Sequence, residues 1–316
     1  MDYVRLGNTD IVVSKLCFGG LVMGPLQKNL PPVEGAAVIL RALQTGVNFI
    51  DTAELYGTYP HIRQALALWE GERPVIATKS YAWSREDAEK SLERARKELD
   101  CDVIDIFLMH EQESRLTLAG HRQALEYYLN EREKGRIRAV GVSTHHIEVV
   151  EACSEMPEID VLHPIVNRTG MGIADGNVEQ MLHGVKTAYS NGKGIYSMKP
   201  LGGGNLLGSY VDSMRFVLDL PFIHSIAVGM QSVHEVEMNV CVFEGRPVPD
   251  EVGKAASMHE KRLHIDYWCE GCGKCLERCG QGALRLENGK AAADPERCVL
   301  CGYCGSVCKA FAIKIC

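Results

Sequence analysis

Eight of the chain's thirteen cysteines lie beyond residue 268 and obey one spacing rule twice, Cys-x2-Cys-x2-Cys-x3-Cys. The first copy is "CEGCGKCLERCG", Cys269 to Gly280, and the second is "CVLCGYCGSVCK", Cys298 to Lys309. The copies are an internal repeat offset by 29 residues, and strand-like endings, "ALRL" and "AIKI", follow both. Nothing else in the sequence restricts the fold of its own segment so tightly. The other five cysteines, Cys17, Cys101, Cys153, Cys241 and Cys316, are scattered and read as small buried apolar residues or idle thiols.

Zinc sites usually pair cysteines closely and separate the pairs by a longer spacer. Three cysteines at successive intervals of three instead wrap one face of an iron–sulfur cubane, and the fourth serves the neighbouring cube. Disulfides are the other competing explanation, and a reducing compartment argues against them. The repeat resembles the bacterial two-[4Fe-4S] ferredoxin domain. That resemblance implies one cluster on Cys269, Cys272, Cys275 and Cys308, and a second on Cys298, Cys301, Cys304 and Cys279. The family usually places proline after the fourth cysteine, where this chain has Gly280 and Lys309.

A chain of 316 residues suggests one large domain and one small one. The hydrophobic fraction of 46% and charged fraction of 24% are those of an ordinary folded protein. A formal charge of -7 argues against a general nucleic-acid or anionic-membrane binder. The N-terminus has no secretory pattern, and no apolar run approaches the roughly 18 residues of a membrane span. These features point to a cytoplasmic protein.

Ahead of the cysteines, strand-like and helix-like stretches alternate. Strand candidates are "LCFGG", "VNFIDT", "VIAT", "VIDIFLMH", "RAVGVS", "IDVLH", "GIYSMK" and "HSIAVG". "VIDIFLMH" reads as an apolar run broken by Asp105 and closing on His110, as a parallel strand covered on both faces would. Between strands, Ser84 is positioned to cap a helix carrying Ala88, Leu92, Ala95 and Leu99 on one face, and a long helical stretch closes at Gly135. Eight such units predict a (β/α)8 TIM barrel over residues 1–244, a linker over 245–264 and a small α+β ferredoxin-like iron–sulfur domain over 265–316. No G-x-G-x-x-G follows the first strand, so the dinucleotide fingerprint of an open α/β sheet is missing.

Asp51, Lys79 and His110 close consecutive strands, and Tyr56 follows Asp51 by five residues. In a barrel these groups converge on one rim. Singly, each has a plain explanation as a helix cap or a solvated strand end. As a set they suit carbonyl reduction. Tyr56 would protonate the oxygen, and the Lys79 ammonium would lower the phenol pKa. Asp51 would hold Lys79 charged, and His110 would orient the substrate oxygen.

"FIDTAELYG", "ATKS" and "FLMHE" resemble the tetrad of the aldo-keto reductase family, and the resemblance covers about residues 3–243. It implies a nicotinamide cofactor, NADPH or NADH, held by Gly20, Leu21, Ser143, Thr144, His163, Met198, Leu201, Gly202, Gly229, Gln231 and Asn239. Several of these depart from the family's usual Ser-Asn, Gln and stacking Tyr, which fall here at Ser143-Thr144, His163 and Met198. Gly229, Met230, Gln231 and Glu235 offer no cation for a 2'-phosphate, so NADP preference is not implied. Tyr81 and Trp83 are candidates for a substrate wall, with surface packing the alternative.

Two functional readings follow. In one, a nicotinamide-dependent oxidoreductase acts on a small carbonyl or alcohol, its clusters structural or linked to a ferredoxin-like redox partner. In the other, the barrel is a scaffold for electron transfer and its nicotinamide site has decayed.

Overall fold

The computed structural model describes residues 1–257 and 261–316. Eight parallel strands close a barrel: β1 (Leu16–Gly19), β2 (Phe49–Asp51), β3 (Val75–Ser80), β4 (Ile104–Met109), β5 (Ile137–Thr144), β6 (Val161–Pro164), β7 (Gly194–Met198) and β8 (Ser225–Gly229). Each pairs with the next, and β8 pairs back onto β1 with Val228 opposite Phe18. All eight candidate strands form.

Alternation along each strand divides the core in two. Cys17, Phe49, Ala77, Ile106, Leu108, Val161 and Tyr196 point inward and fill the barrel. Phe18, Ile50, Ile76, Phe107, Val140 and Leu162 point outward and pack beneath the helices. A hairpin of Tyr3–Arg5 against Val12–Ser14 plugs the end at which the strands begin, which leaves the other end for chemistry.

Helix Arg85–Leu99 starts where Ser84 accepts a hydrogen bond from the Asp87 amide, and it buries Ala88, Leu92, Ala95 and Leu99. The helical stretch expected to run to Gly135 is broken into Arg115–Gly120 and Arg122–Glu133, with His121 between them. The segment 245–264 is more than a linker. It carries helix Asp250–Ser257 and the start of a strand at Leu263, while its residues 258–260 lie outside the described residues.

Beyond residue 262 stand four short strands: β9 (Leu263–Ile265), β10 (Leu284–Glu287), β11 (Lys290–Ala293) and β12 (Ile313–Ile315). β9 pairs with β12 and β10 with β11, both antiparallel. A five-residue helix, Lys274–Arg278, and a turn at Gly305–Val307 complete the segment. This arrangement returns β12 to the barrel mouth. The Ile315 amide donates to the Gly203 carbonyl at 2.9 Å, and the Asn205 amide donates to the Ile313 carbonyl at 2.9 Å. Among the described residues no helix is long and apolar enough to cross a membrane.

Candidate active site

The strand ends bring Asp51, Lys79 and His110 to one rim, all less than 5% exposed, with Tyr56 half-buried beside them. The Lys79 ammonium donates to both Asp51 oxygens, at 2.7 and 2.8 Å, and to the Thr52 carbonyl at 2.8 Å. It stands 5.0 Å from the centre of the Tyr56 ring. The edge of Tyr56 meets His110 at 5.6 Å between ring centres, and Tyr81 stacks on the other side of His110 at 4.3 Å. Asp51 has a further partner that sequence spacing does not show: Tyr196, inside the barrel on β7, donates its phenol to Oδ1 at 3.0 Å.

The electrostatics correct one expectation. The Tyr56 phenol is pushed well above its usual pKa, by burial first and then by Asp51, Glu111 and Tyr81. Lys79 does not draw it down. The reason is geometric: the ammonium's charge is spent on a carboxylate less than 3 Å away, so the phenol faces a nearly neutral pair. His110 is pushed down to about 3 by burial and is a neutral imidazole, and its Nδ1 is buried without a hydrogen-bond partner.

Two cavities meet at this rim. The first is a groove of about 150 Å³ running from Asp51 and Tyr56 toward the loop after β8. Of the expected cofactor residues, Leu21, His163, Met198, Leu201, Gly229, Gln231 and Asn239 line it. Gly20, Gly202, Ser143 and Thr144 do not. Ser143 and Thr144 are fully buried, and their hydroxyls are committed to the loop after β4: Ser143 accepts from the Glu111 amide, and Thr144 donates to the Gln112 carbonyl. Gly20 turns its amide to the Asp51 carbonyl. His163 stacks on Tyr196 at 3.9 Å and is held neutral by burial, its pKa about 4.

The groove also has a cation that the sequence pattern concealed. Lys261 reaches it from the connecting segment and pairs with Glu235 at 2.8 Å. At the glycine loop after β7, β12 forms part of the wall. A Cβ at Gly204 would stand 2.0 Å from the Ile315 carbonyl oxygen, so only glycine permits the approach.

The second cavity, about 650 Å³, opens over Tyr56, Tyr81, His110 and Glu111. Its roof comes from the terminal segment: Asp266, Tyr267, Trp268, Lys309, Phe311 and Lys314. Tyr81 thus forms a cavity wall, whereas Trp83 points away and is 62% exposed.

The sequence profile of the Aldo/keto reductase family matches residues 15–217. The chain belongs to the aldo/keto reductase family. It is 23% identical over 280 residues to an L-galactose dehydrogenase of Arabidopsis thaliana, with 74% of this chain and 86% of that protein covered. It is 29% identical over 159 residues to a 6-dehydroglucose reductase of Novosphingobium aromaticivorans, but the match spans 44% of this chain and 50% of that protein. An aldo-keto reductase of Bacillus halodurans superposes on 81% of this chain and 95% of its own length, with a TM-score of 0.64 at 18% identity. That similarity is one of fold.

The eight motif cysteines of this aldo/keto reductase lie outside the matched residues, whereas Cys17, Cys101 and Cys153 lie within them. All thirteen are free thiols. The motif cysteines surround two separate cavities, Cys269, Cys272, Cys275 and Cys308 around one, and Cys279, Cys298, Cys301 and Cys304 around the other. Backbone amides of Ala283, Ala291 and Ala312 point at the sulfurs of Cys279, Cys269 and Cys308 at 3.3, 3.4 and 3.3 Å. Among the described residues no three His, Cys, Asp or Glu side chains converge tightly enough to hold one metal ion. Four sulfurs around a hollow do not suit a mononuclear site, which needs its ligands drawn to a point.

Proposed function

We propose that this family member is a nicotinamide-dependent oxidoreductase of a small carbonyl or alcohol, with Tyr56 as proton donor and acceptor. We further propose that residues 265–316 are a ferredoxin-like domain holding two [4Fe-4S] clusters. One observation carries the first part. Asp51, Tyr56, Lys79 and His110 gather where the groove meets the larger chamber, so a carbonyl in the chamber can face both the phenol and a ligand in the groove.

The raised pKa fixes the starting state: Tyr56 keeps its proton at neutral pH and can donate a hydrogen bond to a carbonyl oxygen. As that oxygen gains charge it takes the proton, and Tyr56 is left as a phenolate with the Asp51-paired ammonium of Lys79 at 5.0 Å from its ring. Asp51 keeps Lys79 in place. Neutral His110 offers an N–H to the same oxygen without competing as an acid. The donor set of the groove, Gln231, Asn239 and Lys261 beside the glycine loop, suits a dinucleotide. Bound there, NADH or NADPH would supply the hydride. Lys261 is shared with Glu235, whose carboxylate disfavours a 2'-phosphate, so the reading commits to neither cofactor.

The cysteine cavities fit cubanes by ligand number and by amide hydrogen bonds to sulfur, which cluster thiolates accept. Clusters there would exchange single electrons with a ferredoxin-like partner or staple the segment, and the free thiols suit a reducing, cytoplasmic setting. A second reading, an electron-transfer protein on a barrel whose nicotinamide site has decayed, draws on the groove's size. Ligand pockets usually run from roughly 300 to 1,000 Å³, whereas this one encloses about 150 Å³ with Lys314 and Ile315 in its wall.

Anaerobic titration of cluster-replete protein with NADH and NADPH separates the two. Saturable binding, together with a fall in carbonyl turnover of about 10²–10⁴ in Tyr56→Phe, is expected. Absence of binding by either nucleotide, alongside reversible cluster reduction, overturns the enzymatic reading.

A further inference from the structure

Two lysines that neither the tetrad nor the cysteine sites use face the chamber. Lys199, just past β7, holds a left-handed backbone conformation (φ 58°), and Lys314 lies on β12 and is 4% exposed. For a non-glycine residue such a φ is strained, and strain of this kind collects where a side chain has to be aimed. Both lysines line the groove and the chamber, and so stand at their junction with Tyr56. Their ammonium groups gather about one aromatic ring, 5.1 and 3.4 Å from the centre of Phe311.

A buried ammonium ordinarily spends all three N–H bonds, and buried Lys314 does not, while Lys199 beside it is half-buried. Among the described residues Lys199 has one acceptor, His145 Nε2 at 2.8 Å, and Lys314 has one, the Phe311 carbonyl. The neighbouring acids favour the charged ammonium groups without occupying them, against the burial that lowers both. Asp266 Oδ2 approaches Lys314 only to 3.8 Å and has no hydrogen-bond partner of its own. Glu111 acts on Lys199 through charge, while its carboxylate receives the Tyr81 phenol. Mutual repulsion adds to burial in lowering Lys314 to about 7.

We propose that Lys199 and Lys314 form a carboxylate-binding subsite beside Tyr56, and that the substrate is an oxo acid, or the corresponding hydroxy acid, with an apolar body. This rests on the reading of Tyr56 as the proton donor and names the substrate class for it. A monoanion is favoured over a phosphate dianion because the chamber's charges are balanced: Lys199, Lys309 and Lys314 face Glu111, Glu113 and Asp266. The apolar body follows from Leu26, Leu55, Tyr267, Trp268 and Phe311, which line the rest of the chamber.

The test pairs phenylpyruvate and benzoylacetate with their methyl esters, using holoprotein and whichever nicotinamide it binds. Calorimetry with phenylacetate, which cannot be reduced, is the second readout. Charge-assisted hydrogen bonds of this kind predict that Lys199→Met and Lys314→Met each lower the acid-to-ester ratio of kcat/KM by roughly 10–100-fold and weaken phenylacetate by a similar factor. Lys199→Arg, which keeps the charge, should restore much of both. Esters turned over as well as acids, with no phenylacetate binding, would overturn the subsite and leave the Tyr56 reading standing. Lysine-dependent phenylacetate binding with no carbonyl turned over would do the reverse.

Discussion

The barrel and the terminal segment are held together by different means. In the barrel, residues such as Phe18, Phe49, Phe107, Leu108 and Tyr196 are wholly buried in two continuous layers. The terminal segment has a core of five buried residues, Cys275, Leu284, Ala291, Cys304 and Ile313, and two of those are motif cysteines. Tyr267, Val299 and Tyr303 are left about 60% exposed there (65%, 62% and 59%). A segment of this size cannot supply enough apolar burial to fold by itself and needs a covalent or metal staple. The barrel stands on packing, and the segment adds to its small core the contacts of Phe311, Ile313 and Ile315 with the barrel.

If the segment holds the proposed clusters, the widest gap between the two should open when their iron is removed. Hydrogen exchange on iron-stripped protein, or on Cys275→Ser/Cys304→Ser, is expected to show loss of protection across 263–316 while β1 to β8 stay protected. Equal protection in both regions would show that the segment does not depend on metal.

Within the barrel the most sensitive point is the buried ion pair at the rim. Lys79→Met leaves Asp51 charged and buried with Tyr196 as its remaining side-chain donor, which should cost about 3–5 kcal/mol in denaturant unfolding of the barrel. Signals from the cysteine segment should shift far less.

A milder effect is expected from pH. His110 and His163 are held at about 3 and 4, and His145 is also lowered by burial. Unfolded, they titrate near ~6.5, so below that pH the unfolded chain binds protons that the native barrel refuses. Thermal stability should therefore fall as pH drops from about 6.5 toward 4, where these histidines are protonated only in the unfolded chain. A melting temperature unchanged between pH 7 and 5 would contradict the neutral assignment. The smallest effect belongs to Ser84→Ala, which removes one helix cap and should cost about 1 kcal/mol.

The two regions were also unequally legible in the sequence. The eight strands could be read because each is a short, largely apolar run, and burial on both faces demands that pattern. The break at His121 could not, since the Arg115–Gly120 and Arg122–Glu133 helices are each compatible with the same composition. The grouping of the cysteines came from the ferredoxin resemblance carried by their spacing, and the two cavities divide them in the same way. The sequence order brought the four rim residues together, as the structure does, but the expected lowering of the Tyr56 phenol by Lys79 is not what the rim provides. Sequence order placed Lys79 near Tyr56 but could not show that Asp51 takes both faces of its ammonium, or that Tyr196 arrives from the far side of the barrel. Lys199, Lys261 and Lys314 escaped notice for a related reason. They belong to three distant stretches, and only the return of β12 to the glycine loop makes neighbours of them.

That return has an outcome for how the chamber beside Tyr56 comes into being. A chain cut before residue 262 would keep the phenol, the amine, the carboxylate and the imidazole on their strand ends, yet lose the ceiling that separates them from bulk water. Oxidation of the motif cysteines, if it loosened the same ceiling, would be felt first as a leak in a room whose furniture is intact.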